Sequence, residues 1–335
     1  KRGFTVVEMM SQERAKNVDD DLKYNYKEFS VLLKGYYGTD PCQRLPFGFY
    51  EKFKMIFFVL SGIMFIKVIL IIILMSVTVI TAYIIAGCKN SKNAVSFALK
   101  TNTIMVRWAL FVCGFYCIPV KKSKKSNLNC PVIICNHVSM WDPFILYTVV
   151  APKVVSQKKI QNFPIFGKVL KIINTIWVER ETREKRKLSF EKIKNYIKNY
   201  DKNDINYRPM MIFPGSCSIN QKTIPIFKAA AFSCGTNVQP VIVRYDQKYG
   251  DLTHHLWERP MWTMFKSMFQ FANYASLEFL DEYIPSDEEK NDAGLYAENV
   301  RTKVYAKYMK NAQLTPFSYE DMRLRKIFKL SGIKL

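Results

Sequence analysis

At 335 residues the chain holds either two average domains or one large α/β domain, and its 49% apolar and 14% aromatic residues suffice for a full core plus a membrane surface. A formal charge of +22, from 50 Lys and Arg against 28 Asp and Glu, suits an anionic partner, lipid headgroups or nucleic acid, with a solvated basic surface as the plainer alternative. Eight cysteines at irregular spacing, with no CxxC pair and no neighbouring histidine, exclude a spacing-defined zinc site and read as reduced thiols of a cytosol- or matrix-facing protein.

Residues 1–54 are charged and Tyr-rich without clear periodicity, an irregular or partly helical arm. Residues 55–125 read as membrane-embedded and interfacial helices. From 55 to 86 the only charge is Lys67, and Val68 to Ala86 contains none. As a helix that last part spans about 28 Å, against roughly 30 Å for the hydrocarbon core of a bilayer. The whole stretch exceeds one upright helix, which leaves a tilted span or a bent hairpin in one leaflet, with Lys67 snorkelling towards headgroups. A buried helix of a soluble domain is the alternative. A second apolar stretch, 104–120, is interrupted by Arg107 and ends at Lys121-Lys122-Ser123-Lys124-Lys125. It reads as interfacial, with the lysines against anionic headgroups and with Cys113 and Cys117 packed as small hydrophobes on one helical face.

Residues 126–312 alternate strand and helix. Short apolar runs at 131–135, 175–178, 209–213, 238–244 and 276–280 are the strand candidates. Ile193, Tyr196, Ile197 and Tyr200 keep helical spacing, and Ser286 with Glu289 forms a capping box ahead of a face bearing Tyr296, Val300, Val304 and Tyr308. This alternation predicts an α/β fold with a largely buried sheet. Met261, Trp262, Met264, Phe265, Met268, Phe269 and Phe271 read as core packing or, second, as an acyl-chain groove or membrane-docking face. His254-His255 lacks partners at ligand spacing, so no metal is expected. Residues 313–335 form a C-terminal helical tail.

The strongest chemical signal is Asn136-His137-Val138-Ser139-Met140-Trp141-Asp142, directly after the first strand. A base and a carboxylate so close can take a proton from a hydroxyl while the carboxylate holds the imidazole. Five positions along a regular helix would turn the two side chains about 140° apart, so His137 belongs in the turn before the helix. Asp142 followed by Pro143 also matches a helix start, with Asp142 as N-cap.

Asn136 to Pro143 resembles the first signature of the glycerolipid acyltransferases. Pro164-Ile165-Phe166-Gly167 with Ile176-Trp177-Val178-Glu179-Arg180 resembles the second, and Phe213-Pro214 begins the third. Val238-Gln239-Pro240-Val241-Ile242-Val243-Arg244-Tyr245 is similar to the fourth in its lysophosphatidylcholine acyltransferase form, as are Pro285 to Lys290, Leu295 to Ala297 and Asn299 to Arg301. The resemblance implies a family-type sheet flanked by helices behind an N-terminal membrane segment. It also implies transfer from acyl-CoA, as co-substrate and with no other cofactor, to a lysophospholipid hydroxyl. His137 is then the general base, Asp142 its orienting carboxylate and Arg180 the phosphate holder; alone, Arg180 reads as a surface ion pair with Glu179 or Glu181.

One departure stands in the third signature. The family pattern Phe-Pro-Glu-Gly-Thr reads Phe213-Pro214-Gly215-Ser216-Cys217 here, so Gly215 stands where the acidic residue is expected; alternatively, Ser216 and backbone amides of the turn could still hold an anion. The resemblance therefore leaves two readings open. One is an active integral membrane acyltransferase of the endoplasmic reticulum or a mitochondrial membrane, with phospholipids, lysophospholipids and acyl-CoA as partners. The other is a catalytically impaired relative, a lipid-binding or structural subunit of a membrane protein complex. Nucleic acid is not expected, since no basic–aromatic binding module is present.

Overall fold

The computed structural model describes residues 48–87, 92–162, 167, 170–171, 175–179, 182–204, 207–216, 218–253, 260–308 and 313–314. Its centre is a five-stranded mixed sheet. In chain order the strands are β1 (Val120–Lys122), β2 (Val132–Cys135), β5 (Met210–Ile212), β7 (Val238–Asp246) and β8 (Tyr274–Phe279), after counting β3 (Val155–Gln157), β4 (Ile176–Val178) and β6 (Thr223–Ile224), which pair outside the sheet. Across the sheet the order is β1-β8-β7-β2-β5. β2 lies parallel to both β5 and β7, and β7 runs antiparallel to β8.

Both faces of β2 are covered, which is why its sequence is an unbroken apolar run. Ile133 and Cys135 join Val241, Val243 and Tyr245 in one core, against Leu110, Trp141, Ile145 and Leu146. Val132 and Ile134 point the other way, to Ile197, Phe227, Tyr296 and Tyr305. The expected α/β layering is therefore what the chain adopts. The strand candidates at 131–135, 175–178, 209–213, 238–244 and 276–280 all contain strands. The capping box forms as read: Ser286 Oγ accepts from the Glu289 amide and the Glu289 carboxylate accepts from the Ser286 amide. Asp292 then caps a second short helix, Ala293–Asn299, which carries Tyr296 into the core.

On the N-terminal side, α1 (Phe49–Leu60) and α2 (Ile63–Gly87) are separated by a break at Gly62, whose φ of 74° suits glycine. Within α2, Ile63–Thr81 is long and apolar enough to cross a membrane, and only 17% of that window is buried. Lys67 does not snorkel. Its ammonium donates to the carbonyls of Met268 and Gln270 at 2.9 and 3.0 Å and lies 4.8 Å from the Phe58 ring centre. Met268 ends the helix Pro260–Met268 and Gln270 lies two residues beyond it, where helical carbonyls lack amide donors and suit a cation. Lys54 of α1 reaches the same turn, donating to Gln270 Oε1 at 2.8 Å. Two lysines thus pin the apolar helices to the α/β body.

The 104–120 stretch is only partly helical. α3 (Lys92–Val112) stops at Val112, and Arg107 donates to the carbonyls of Phe115 and Tyr116 beyond it at 3.0 and 2.7 Å. Cys113 is buried as expected, but Cys117 is exposed, because it lies past the helix end. The basic run that follows starts in β1, an edge strand exposed at all three positions, where lysines also discourage pairing with another strand. The aromatic–methionine stretch divides by face. Met264, Met268 and Phe269 pack inward, whereas Trp262, Phe265 and Phe271 are exposed.

Candidate active site

β7 is longer than β2, and two amide side chains complete its bare edge. β2 pairs with it up to Cys135↔Val241. Asn136 then donates to the Val243 carbonyl and accepts from the Val243 amide, both at 2.9 Å. Gln221 does the same for Tyr245, at 2.9 and 2.8 Å. The strand edge is satisfied without the backbone of residue 137. The chain can therefore leave the sheet at His137 and turn into α4 (Asp142–Val150).

That turn is organised around one carboxylate. Asp142 is fully buried, and its Oδ2 accepts from His137 Nδ1 at 2.8 Å and from the amides of Val138 and Ser139 at 2.7 and 2.9 Å. Its Oδ1 accepts from the Tyr245 hydroxyl at 2.5 Å. Four donors compensate the cost of burying the charge. Asp142 is the first helical residue, and Trp141, in the N-cap position, makes no side-chain cap. The N-cap expectation for Asp142 is thus corrected: its carboxylate turns back onto the preceding amides because His137 and Tyr245 hold it there. Trp141 Nε1 donates to Ser267 Oγ at 2.9 Å and Ser139 Oγ to the Leu252 carbonyl at 2.5 Å, fixing the turn against the helix Pro260–Met268 and the loop before it.

His137 stacks on Phe213, ring centres 4.3 Å apart and planes inclined by 24°, and its side chain keeps 17% exposure. With Nδ1–H given to the carboxylate, Nε2 carries the lone pair. Such a base accepts a proton at Nε2 while Asp142 stabilises the imidazolium. Burial, and after it the Asp142 charge, raise the Tyr245 hydroxyl well above its ordinary range, so it stays a donor at every physiological pH.

The third-signature loop is bound to this turn, since the Ile219 amide donates to the His137 carbonyl at 3.2 Å. Gly215 is buried beside His137, Ile219 and Pro225 around a cavity of about 10 Å³. A Cβ at position 215 would lie 2.6 Å from Pro225 Cγ, well inside contact distance. Ser216 has φ 60°, a left-handed conformation, at the position where the family pattern has glycine. Its amide donates to the Phe213 carbonyl at 3.0 Å, closing the turn, so this amide is not turned to an anion.

Arg180, Cys217 and His254-His255 lie outside the described residues. Glu179, one ion-pair partner considered for Arg180, is held by Lys158 at 2.8 Å and Lys185 at 2.9 Å. Hydrogen bonds from these two ammoniums bring its carboxyl down to about 2. The structure thus brings His137, Asp142 and Gly215 together and adds Tyr245, Phe213, Asn136 and Gln221. Of these, sequence reasoning assigned neither Tyr245 nor Gln221 a role, because nothing local links Tyr245 to a turn 103 positions earlier or Gln221 to a strand edge 24 positions later.

Residues 118–244 match the family model described as Acyltransferase. The chain is 30% identical over 236 residues to lysophosphatidylcholine acyltransferase 1 of Rattus norvegicus, an alignment that spans 70% of this chain and 42% of the relative. It is 33% identical over 199 residues to lysophospholipid acyltransferase LPCAT4 of Homo sapiens, spanning 58% and 37%. The chain therefore covers less than half the length of these relatives. Among solved structures, it is similar to the 1-acyl-sn-glycerophosphate acyltransferase PlsC of Thermotoga maritima, with a TM-score of 0.41 and 15% identity over 69% of this chain and 95% of that one.

Proposed function

Because the chain belongs to the acyltransferase family through its residues 118–244, we propose that it transfers an acyl group from acyl-CoA to the hydroxyl of a lysophospholipid at a membrane. The observation that carries this reading is the 2.8 Å contact of His137 Nδ1 with a buried, four-fold hydrogen-bonded Asp142, which leaves Nε2 as the basic nitrogen. In the proposed reaction Nε2 takes the acceptor's hydroxyl proton as its oxygen bonds to the thioester carbonyl carbon. The C–S bond then breaks, and the thiolate of CoA recovers the proton from the imidazolium. Arg180 is assigned to the acceptor phosphate, and α2 to anchoring in the bilayer.

A second reading is favoured by Gly215 and Pro225: a relative that keeps the base but has lost the acidic residue expected beside it, and so binds lipid with little or no turnover. Purified protein in phospholipid vesicles, given radiolabelled acyl-CoA and a panel of lysophospholipids, separates the two. The enzyme reading expects labelled phospholipid from the wild type and a loss of at least about 10³-fold in His137→Ala. Lysolipid binding without transfer to any acceptor supports the second reading instead.

A further inference from the structure

The carboxylate beneath His137 is shared, and the sharing partner sits on another element. Oδ2 of Asp142 serves His137 and two amides of its own turn, whereas Oδ1 is taken by the Tyr245 hydroxyl from β7. We infer that Tyr245 is a positioning residue that sets the basicity of His137 through Asp142. Its consequence for turnover rests on the proposed acyl transfer; its consequence for His137 does not.

The geometry supports this in two ways. With one oxygen held by backbone amides and the other by a phenol, the carboxylate is fixed at both ends and cannot rotate away from the imidazole. A short O–H···O⁻ bond also draws charge towards Tyr245, which weakens the attraction of Asp142 for an imidazolium. Without the phenol, the freed carboxylate oxygen would leave Asp142 with more charge to set against an imidazolium. Tyr245 itself is buried, paired with Ala275 of β8 on one edge and bonded through its backbone to Gln221 on the other, which holds its ring in place beside Asp142.

The titratable groups facing Asp142 are His137 in the same turn, Cys135 of β2 and Tyr245 of β7. Burial keeps the Cys135 thiol protonated, so it contributes no charge to the balance. The loop carrying Phe213 presents an aromatic face to the imidazole, and the Leu252 carbonyl holds Ser139 from the far side. Of the donors to Asp142 other than His137, Tyr245 alone can be altered by side-chain substitution, since the others are amides.

The test is a titration of the histidine ring protons by NMR on the full chain in detergent micelles. There are three histidines, and His137→Ala identifies the relevant resonance. Tyr245→Phe removes the donor and keeps the ring, and is expected to raise the His137 midpoint by about half a unit or more. Ser267→Ala releases Trp141 of the same turn without removing a donor to Asp142, and is expected to leave the midpoint in place. Should Tyr245→Phe not fold, 3-fluorotyrosine at Tyr245, a more acidic donor of nearly the same shape, is expected to lower the midpoint. A folded Tyr245→Phe, or the fluorinated protein, with an unchanged His137 midpoint overturns the inference. In the transfer assay the acidic limb of the pH–rate profile should move up with the midpoint, while KM for the lysolipid holds. An inactive wild type defeats the proposed function and leaves the NMR result standing by itself.

Discussion

The turn at 136–142 and the loop at 213–228 meet at the His137 carbonyl, yet they have diverged from the family pattern to different degrees. In the turn the polar side chains interlock: Asp142 has four donors, and Asn136 replaces a strand neighbour. In the loop the carboxylate is gone, Pro225 stands against Gly215, and Ser216 occupies a left-handed position. In the turn, His137, Tyr245 and two amides all depend on the same buried charge. In the loop the departures are local, and the Pro225 ring fills the space beside Gly215. A charge buried in a shared network constrains all its donors together as a unit, whereas a position packed by apolar contacts is constrained by its immediate neighbours alone.

If the turn is such a unit, its centre carries the largest penalty. Asp142→Ala leaves Tyr245, His137 and two amides without their acceptor at a fully buried position. Unfolding in denaturant should show a loss of about 3–5 kcal/mol, far above the usual surface substitution. A loss below about 1 kcal/mol would mean that the network is not cooperative and that the contrast with the loop is unfounded.

How much of this was legible beforehand follows from the range of each interaction. His137 and Asp142 lie within one turn, so their spacing alone placed the base before the helix. β2 and β7 announce themselves as apolar runs because they are covered on both faces, and Ser286 with Glu289 declares a helix start three residues apart. β1 gave no such sign, since an exposed edge strand of Val120, Lys121 and Lys122 looks like the end of a basic run. The partners of Lys67, the tie from Tyr245 to Asp142 and the clash awaiting a side chain at 215 all join distant segments. Each depends on where the chain returns, which no local pattern encodes.

The loop yields the next effect in size. Gly215→Ala places a Cβ 2.6 Å from Pro225 Cγ, so one of the two must shift. Overpacking of this kind costs about 1–3 kcal/mol, read as a lower Tm or denaturation midpoint. Pro225→Ala removes the obstructing ring atoms. The cost of Gly215→Ala should then shrink to a few tenths of a kcal/mol in that background, a coupling visible in a double-mutant cycle. For the same reason Gly215→Glu alone should leave any acyl transfer low, and only the pair Gly215→Glu with Pro225→Ala offers a carboxylate a place beside His137. Additive effects of the two substitutions would show that Pro225 does not govern position 215.

Ser216 supplies the smallest and sharpest test of whether the loop has been rebuilt at a cost. A serine at φ 60° gives up about 1 kcal/mol relative to glycine in the same conformation. Glycine, however, loses more freedom on folding, which takes back part of the gain. Ser216→Gly should therefore stabilise the protein by a few tenths of a kcal/mol, with the turn closed by the same amide bond to the Phe213 carbonyl. Destabilisation by 1 kcal/mol or more would mean that the Ser216 side chain has acquired a partner of its own. The loop would then be a replacement with its own interactions, and not merely a weakened copy of the family pattern.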